Sequence, residues 1–315
     1  MQQYIARRVI QSIGMLVALS ILVFLLLRIA PGADPARIRC GLTCTEDRYE
    51  AIRQEMGLDD SYFAQYTQWA KQIVTGSLGH DWNGGTVAAE MRLRMPVTFE
   101  LMALAVFFTI MIGIPFGVLS ALFRNSPIDF GVRFGAALGL AVPSFWIATL
   151  VLLVPLKYWG YAPPITTTIS FFDNPSDNLR QFVPPALVLG AVSAAQVMRL
   201  TRSAMLEVMF KDYIRTARAK GLGERAVIVR HALRNSLIPV TTVIGLQIAG
   251  ELGGAVIIEN IFNLKGIGNY TLDALARKDF MITQTMTMYI AVIVVAANLL
   301  VDLGYAWLDP RIRYT

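Results

Sequence analysis

Long uncharged apolar runs alternate with polar connections along this chain, and run length sets the first expectation. A helix crossing a hydrocarbon layer of about 30 Å needs about 20 apolar residues, because every backbone polar group must be satisfied inside the segment. Six runs approach or pass that length. Residues 9–27, 134–156, 181–198 and 280–301 carry no charge, residues 97–123 carry only Glu100, and residues 235–258 carry only Glu251. The pattern predicts an all-α integral membrane protein with six transmembrane helices, of which 181–198 is the shortest. Pro115, Pro143 and Pro155 fall in or at the ends of the second and third runs, where proline marks kinks. The first run follows "MQQYIARRV" as a signal peptide would, but its apolar part is too long and no small-x-small site follows, so an uncleaved helix is expected.

The connections divide by charge. Arg7 and Arg8 precede the first run, Arg124 follows the second, nine Lys or Arg lie from Arg199 to Arg234, and Arg311 and Arg313 close the chain. All fall on one side, while residues 31–96, 157–180 and 259–279 are balanced or slightly acidic; the positive-inside rule then puts both termini in the cytoplasm. In the long outer connection, "EDRYEAIRQEMGLDD" reads as a helix stopping near Gly57 and "SYFAQYTQWAKQIVTG" as a second ending at Gly76. Tyr62, Phe63, Tyr66 and Trp69 give the second an aromatic face, suited to the membrane interface or the outer mouth of the bundle rather than to a separate binding domain. A short amphipathic helix is expected from about Tyr270 to Lys278. Cys40 and Cys44 lie on the oxidising side, where such a pair either closes a small disulfide loop or stays as two free thiols.

Composition agrees with the pattern: 55% of residues are hydrophobic and 16% charged, which excludes an ordinary soluble protein. The net charge of +6 comes in short clusters without a continuous basic face, so topology rather than a nucleic-acid partner accounts for it. Catalytic chemistry is missing. There is no G-x4-G-K-[ST] to cradle nucleotide phosphates and no H-E-x-x-H. The two histidines, His80 and His231, fall on opposite sides of the expected membrane, so no catalytic residue, metal site or directly bound cofactor is expected. Gln247 and Glu251, four residues apart on one helix face, are the intramembrane polar pair to watch. They suit either a translocation path or a packing contact with a neighbouring subunit, because "GELGG" permits close helix approach. Glu100 and Asp302 lie nearer helix ends and read as structural.

The basic insert "DYIRTARAKGLGERAVIVRHALRNSLIP" reads as two short helices hinged at Gly221-Leu222-Gly223. Asp212 is the expected N-cap of the first, Ile214 and Ala217 its apolar face, and Gly221 its left-handed C-cap. Glu224 starts the second, and Asn235 or Ser236 is expected to cap the next membrane helix, with Pro239 in its first turn. Taken alone, this is equally a solvated basic loop touching anionic lipid.

The insert resembles the cytoplasmic loop of binding-protein-dependent ABC importer permeases, E-A-A-x3-G-x9-I-x-L-P. Aligned on Gly221, Thr216 and Ala217 stand for the Ala-Ala pair, His231 for the Ile and Leu233 for the Leu; Arg215 replaces the Glu and Arg234 the Pro. The wording "YIRTARAKGL" and "RHALRNSLIP" is similar to the dipeptide, oligopeptide and nickel permease branch, in its first-permease form. "YIARRVIQSI", "RIAPGADP", "GSLGHDW", "MPVTFELM", "GGAVIIENIFNLKGIG" and "DLGYAWLDPRIRY" extend the resemblance over nearly the whole chain. It implies a type I ABC importer permease fold in a bacterial-type cytoplasmic (inner) membrane: residues 1–94 as the branch's added helix and extracytoplasmic segment, 95–308 as a five-helix core with a coupling loop at 202–236, and 309–315 as a cytoplasmic tail. It also implies a non-catalytic subunit that pairs with a second homologous permease, two ABC ATPase subunits carrying ATP and Mg, and an extracytoplasmic substrate-binding protein. The implied ATPase-coupling residues are Tyr213, Arg215, Thr216, Ala217, Arg218, Ala219, Lys220, Gly221, Leu222, His231, Leu233 and Arg234. Di- and oligopeptides are the expected cargo, with nickel chelates or glutathione as alternatives. The rival class is an ATPase-independent secondary transporter or channel, which repeated halves or an intramembrane charge relay would indicate; neither is visible in the sequence.

Overall fold

Helices form along every apolar run, and no strand occurs among the described residues beyond an isolated bridge between His80 and Thr86. The computed structural model describes residues 2–29, 34–41, 43–80, 85–161 and 168–308, with side chains described from residue 5 to residue 301 within these, residue 29 excepted. The side chain of Asp302 and the tail 309–315, with Arg311 and Arg313, lie outside them. Five helices are long and apolar enough to cross a membrane, and a bent pair makes a sixth span if counted as one. Contacts cluster into two units, Met1–Thr98 with Lys265–Thr315, and Phe99–Leu264. The last membrane helix thus groups with the N-terminal segment, across the sequence-based division at residue 95.

In the first unit, α1 (Gln2–Ile29) lies along α13 (Phe280–Leu308), the helix of the last apolar run. The long connection folds as α2 (Pro35–Cys40), α3 (Glu46–Glu55) and α4 (Tyr62–Thr75) before α5 (Val87–Leu122) begins. Asp34 caps α2 by accepting from the Ala36 and Arg37 N–H groups, and Pro35 starts the helix where its missing N–H costs little. Burial pushes the Asp34 carboxyl up. Hydrogen bonds from the Tyr49 hydroxyl and those two amides outweigh it and hold the group below the ordinary carboxylate range. Cys40 and Cys44 are joined in a disulfide, their Cα atoms 5.3 Å apart.

The aromatic face of α4 divides by environment. Tyr66 and Trp69 pack on Phe24 of α1 with ring centroids 5.5 and 6.3 Å away, and Met288 of α13 completes the cluster. The Trp69 Nε1–H donates to Thr285 Oγ1 at 3.4 Å. Tyr62 and Phe63 stay exposed. A second cluster joins Val87 and Met91 at the start of α5 to Ile267, Tyr270 and Ala274 of α12 (Ile267–Ala276) and to Met286. The amphipathic helix therefore begins three residues before its expected start, directly after Gly266.

In the second unit, α5 packs against α8 (Pro175–Met209), which extends the shortest apolar run at both ends. Lipid tails are as apolar as these helices, so association rests on close packing. Small residues supply it. A Cβ on Gly113 would lie 2.7 Å from Val197 Cγ1, one on Gly117 2.6 Å from Thr201 Cβ, and one on Gly190 2.4 Å from the Ala105 carbonyl oxygen.

The third run is not one helix, contrary to expectation. It forms α6 (Pro127–Ala141) and α7 (Ser144–Trp159), bent by 101° at Val142-Pro143. Proline cannot donate to the ladder and drives the preceding residue out of the helical region; Val142 is extended at φ −92°, ψ 127°. Asp129 fixes the start of α6. Its carboxylate accepts from Arg202 of α8 in a bidentate pair (2.8 and 2.8 Å), from Ser120 Oγ of α5 at 2.5 Å and from the Asn125 N–H at 3.0 Å.

Candidate functional site

The basic insert folds as α9 (Asp212–Ala219) followed, after the turn 220–223, by α10 (Glu224–Ala226), a π-helical stretch Val227–Leu233 and α11 (Arg234–Ile261). The expected apolar face is present. Ile214 and Ala217 are buried with Val227 and Ala232 against Ala121 of α5 and Met205 of α8. The helix ends as predicted: Gly221 sits at φ +80°, its N–H donates to the Arg218 carbonyl, and the Leu222 N–H donates to the Ala217 carbonyl.

Two capping expectations fail. The N-cap position is Lys211, without a side-chain cap bond, and Asp212 is the first helical residue, because the Lys211 carbonyl already accepts from Ile214 and Arg215. Nor does a cap separate the second short helix from the membrane helix, since Glu224–Ile261 runs unbroken through the π stretch. Asn235 and Ser236 turn backwards instead. Asn235 Nδ2 donates to the His231 carbonyl at 2.8 Å and Ser236 Oγ to the Leu233 carbonyl at 2.9 Å, partnering carbonyls where the wider π turn closes back to α.

Of the coupling candidates, Tyr213, Arg215, Thr216, Arg218, Ala219, Lys220, Gly221, Leu222 and Arg234 are exposed, Ala217 is buried, and His231 and Leu233 are half-buried. Two ties the sequence did not signal hold them in place. Arg218 bridges the Gly221 turn to Glu224 with contacts of 2.7 and 3.3 Å, and the Tyr213 hydroxyl accepts from Asn235 Nδ2 at 3.1 Å. A separation of six residues across a glycine turn is not a helix spacing, so no periodicity marks the first tie. Arg202 counted in the sequence only as a topological charge, yet it anchors Asp129, 73 positions away.

Gln247 and Glu251 face α8 and α5. Gln247 Nε2 donates to the Ser193 carbonyl at 3.3 Å and to Gln196 Oε1 at 3.1 Å. Glu251 is 5% exposed and hydrogen-bonded to the Ser193 side chain. Thr109 Oγ1 lies 3.5 Å from Glu251 Oε1 while donating to the Gly190 carbonyl at 3.0 Å. The pair is brought together, with Glu251 enclosed by helices of its own chain and Gln247 half-buried. Among the described residues, no group of three His, Cys, Asp or Glu side chains is placed to hold a metal ion.

The sequence of residues 113–314 matches the family of binding-protein-dependent transport system inner membrane components, and residues 1–90 match the N-terminal model of the same systems. The chain belongs to this family. The permease is 38% identical over 317 residues to the oligopeptide transport system permease protein AppB of Bacillus subtilis, with all of both chains covered. It is 40% identical over 322 residues to a putative peptide permease protein of Brucella suis, again with full coverage of both. Against the dipeptide transport system permease protein DppB of Alkalihalophilus pseudofirmus it is 35% identical over 334 residues, with both chains fully covered. One solved structure, titled as an amino acid ABC transporter with histidines, superposes with a TM-score of 0.51 at 16% identity, covering 69% of this chain and 92% of that one. That likeness supports the fold of the permease. The chain is thus a multi-pass inner-membrane subunit of an ABC importer, consistent with a role that is not catalytic.

Proposed function

We propose that this permease conducts peptides and that α9 with the Gly221 turn couples it to an ATPase. The observation that carries the reading is the seating of α9: Ile214 and Ala217 anchor one face on α5 and α8, while Tyr213, Arg215, Thr216 and Ala219, with Lys220 just after them, stay exposed on a helix fixed at both ends. A short helix held in this way transmits a push, and its cationic face complements an acidic groove. In this reading the termini and α9 are cytoplasmic, as the Lys and Arg bias requires. A second homologous permease completes the pathway, two ABC ATPase subunits bind ATP and Mg, and an extracytoplasmic binding protein delivers the ligand. Gln247 and Gln196 border the path, with Glu251 behind them. The names of the relatives, oligopeptide, dipeptide and putative peptide permeases, support peptide as the cargo.

The test is Gly221→Pro in cells expressing the complete importer. Proline cannot adopt φ +80°, so the C-terminal turn of α9 must change. Uptake of a labelled dipeptide is expected to fall at least about tenfold with membrane levels unchanged. Normal uptake in the variant, or purification of the permease without any ATPase, overturns the coupling role.

A further inference from the structure

Glu251 is an ionisable residue set where charge is least tolerated. It lies within the apolar run 235–258 of α11, against α8 and α5 of the same unit. The residue is 5% exposed and its Oε2 is buried without a hydrogen-bond partner, so the carboxyl is enclosed by its own chain. Close packing seals it. One turn further on, a Cβ on Gly254 would lie 2.9 Å from Leu189 Cδ1 of α8, while Gly250 and Gly253 face open space.

No cation answers this carboxyl. Among the described residues its polar neighbours are two hydroxyl groups, Thr109 of α5 and Ser193 of α8. The titratable residues closest in sequence to the contact are Glu100 on α5, Lys157 on α7, Arg199 on α8 and Glu259 on α11 itself. None of them forms a hydrogen bond or ion pair with Glu251. Glu100 is hydrogen-bonded to Asn178 instead, and Lys157 and Arg199 are exposed. The hydrogens also suit an acid. Thr109 has one hydroxyl hydrogen, and it goes to the Gly190 carbonyl at 3.0 Å. What Thr109 Oγ1 turns toward Glu251 Oε1 at 3.5 Å is therefore a lone pair, which repels a carboxylate and accepts from a carboxylic acid. An unpaired carboxylate sealed in this way bears the full desolvation penalty, with one oxygen solvated by nothing. A neutral carboxyl does not.

We infer that Glu251 is a neutral carboxylic acid in the folded permease, a proton-dependent latch that holds α11 on α5 and α8 beside the Gln247–Gln196 pair. Releasing the proton to water leaves a bare charge in the seam, which is relieved when the helices part and water enters, so the latch weakens as pH rises. Its bearing on transport rests on the proposed path. The protonation does not, and it is measured on the full chain alone, apart from the uptake experiment on Gly221→Pro.

The test is infrared spectroscopy and thermal unfolding in dodecyl maltoside, a detergent without carbonyl groups, against Glu251→Gln, which keeps the shape of the neutral acid and has no proton to lose. At neutral pH the wild-type chain is expected to show a carboxylic-acid carbonyl band that the variant lacks, and to lose it as alkali is added. Thr109→Val keeps the carboxyl and removes its neighbour, so it should shift the band without abolishing it. That shift assigns the band even if Glu251→Gln does not fold. Unfolding gives the sign. At neutral pH the unfolded chain has released the glutamate proton and the folded chain has kept it. The wild-type unfolding constant, relative to that of the variant, should therefore rise with pH by up to about tenfold per unit, until the folded chain also gives up its proton. A missing band at neutral pH overturns the inference. So does a band that neither variant alters, or a difference in melting temperature between wild type and Glu251→Gln that stays the same from about pH 6 to about pH 9.

Discussion

At the scale of single residues, the firmest polar anchor is Asp129. Its side chain is fully buried, and it gathers Ser120 of α5, Asn125 of the turn before α6 and Arg202 of α8. Removing one partner of such a pair leaves an uncompensated charge, which costs about 3–5 kcal/mol. Asp129→Ala is expected to lose about 3 kcal/mol, read as a lowered unfolding temperature in detergent. Adding Arg202→Met should recover part of the loss, and if the double variant is no more stable than the single one, the pair is not coupled. No local pattern in the sequence foretold this contact, because the partners lie on different helices and each is unremarkable where it stands. By contrast, Ile214, Ala217 and Gly221 were legible: helix periodicity and the left-handed preference of glycine are local properties, and the structure keeps both.

At the scale of elements, the apolar runs located the membrane helices, and the errors fell at their junctions. A junction is decided by backbone detail that composition does not carry. Pro143 permits either a mild kink or a full break, and packing selected a 101° bend. Asn235 and Ser236 are good caps in isolation, but a π turn offered them carbonyls behind rather than amides ahead. Close packing between α5 and α8 yields a prediction by contrast. Gly190→Ala forces a Cβ to within 2.4 Å of the Ala105 carbonyl oxygen on a backbone that cannot easily retreat, whereas Gly131, also helical, has open space around it. The first change is expected to destabilise by about 1–3 kcal/mol and the second to be neutral or stabilise by up to about 1 kcal/mol. Thermal unfolding of the two variants side by side checks this, and equal behaviour would remove the packing argument.

At the scale of the whole molecule, the fold class and the family were legible because hydrophobic length and a few long motifs carry them. The grouping of α13 with the N-terminal segment was not, since it depends on contacts nearly 200 positions or more apart, such as Trp69 with Thr285. The apolar window of the first span is 11% buried, so most of α1 faces away from the rest of the chain. Val17→Arg, mid-span on its exposed side, should cost about 3 kcal/mol of insertion and lower the alkali-resistant membrane fraction, while Val17→Leu should leave it unchanged. The unbroken helix from Glu224 to Ile261 has a mechanical meaning of its own. With no cap or glycine pair between the basic loop and Gln247, the two are ends of one rod, about 40 Å from Glu224 to Glu251 at about 1.5 Å per residue. A tilt of a few degrees at the loop becomes a sideways step of an ångström or more at the buried polar pair. Two irregularities lie along that rod: the π turn, where it is widened without being interrupted, and Pro239, which sits inside the helix rather than in a first turn and has no N–H for the ladder.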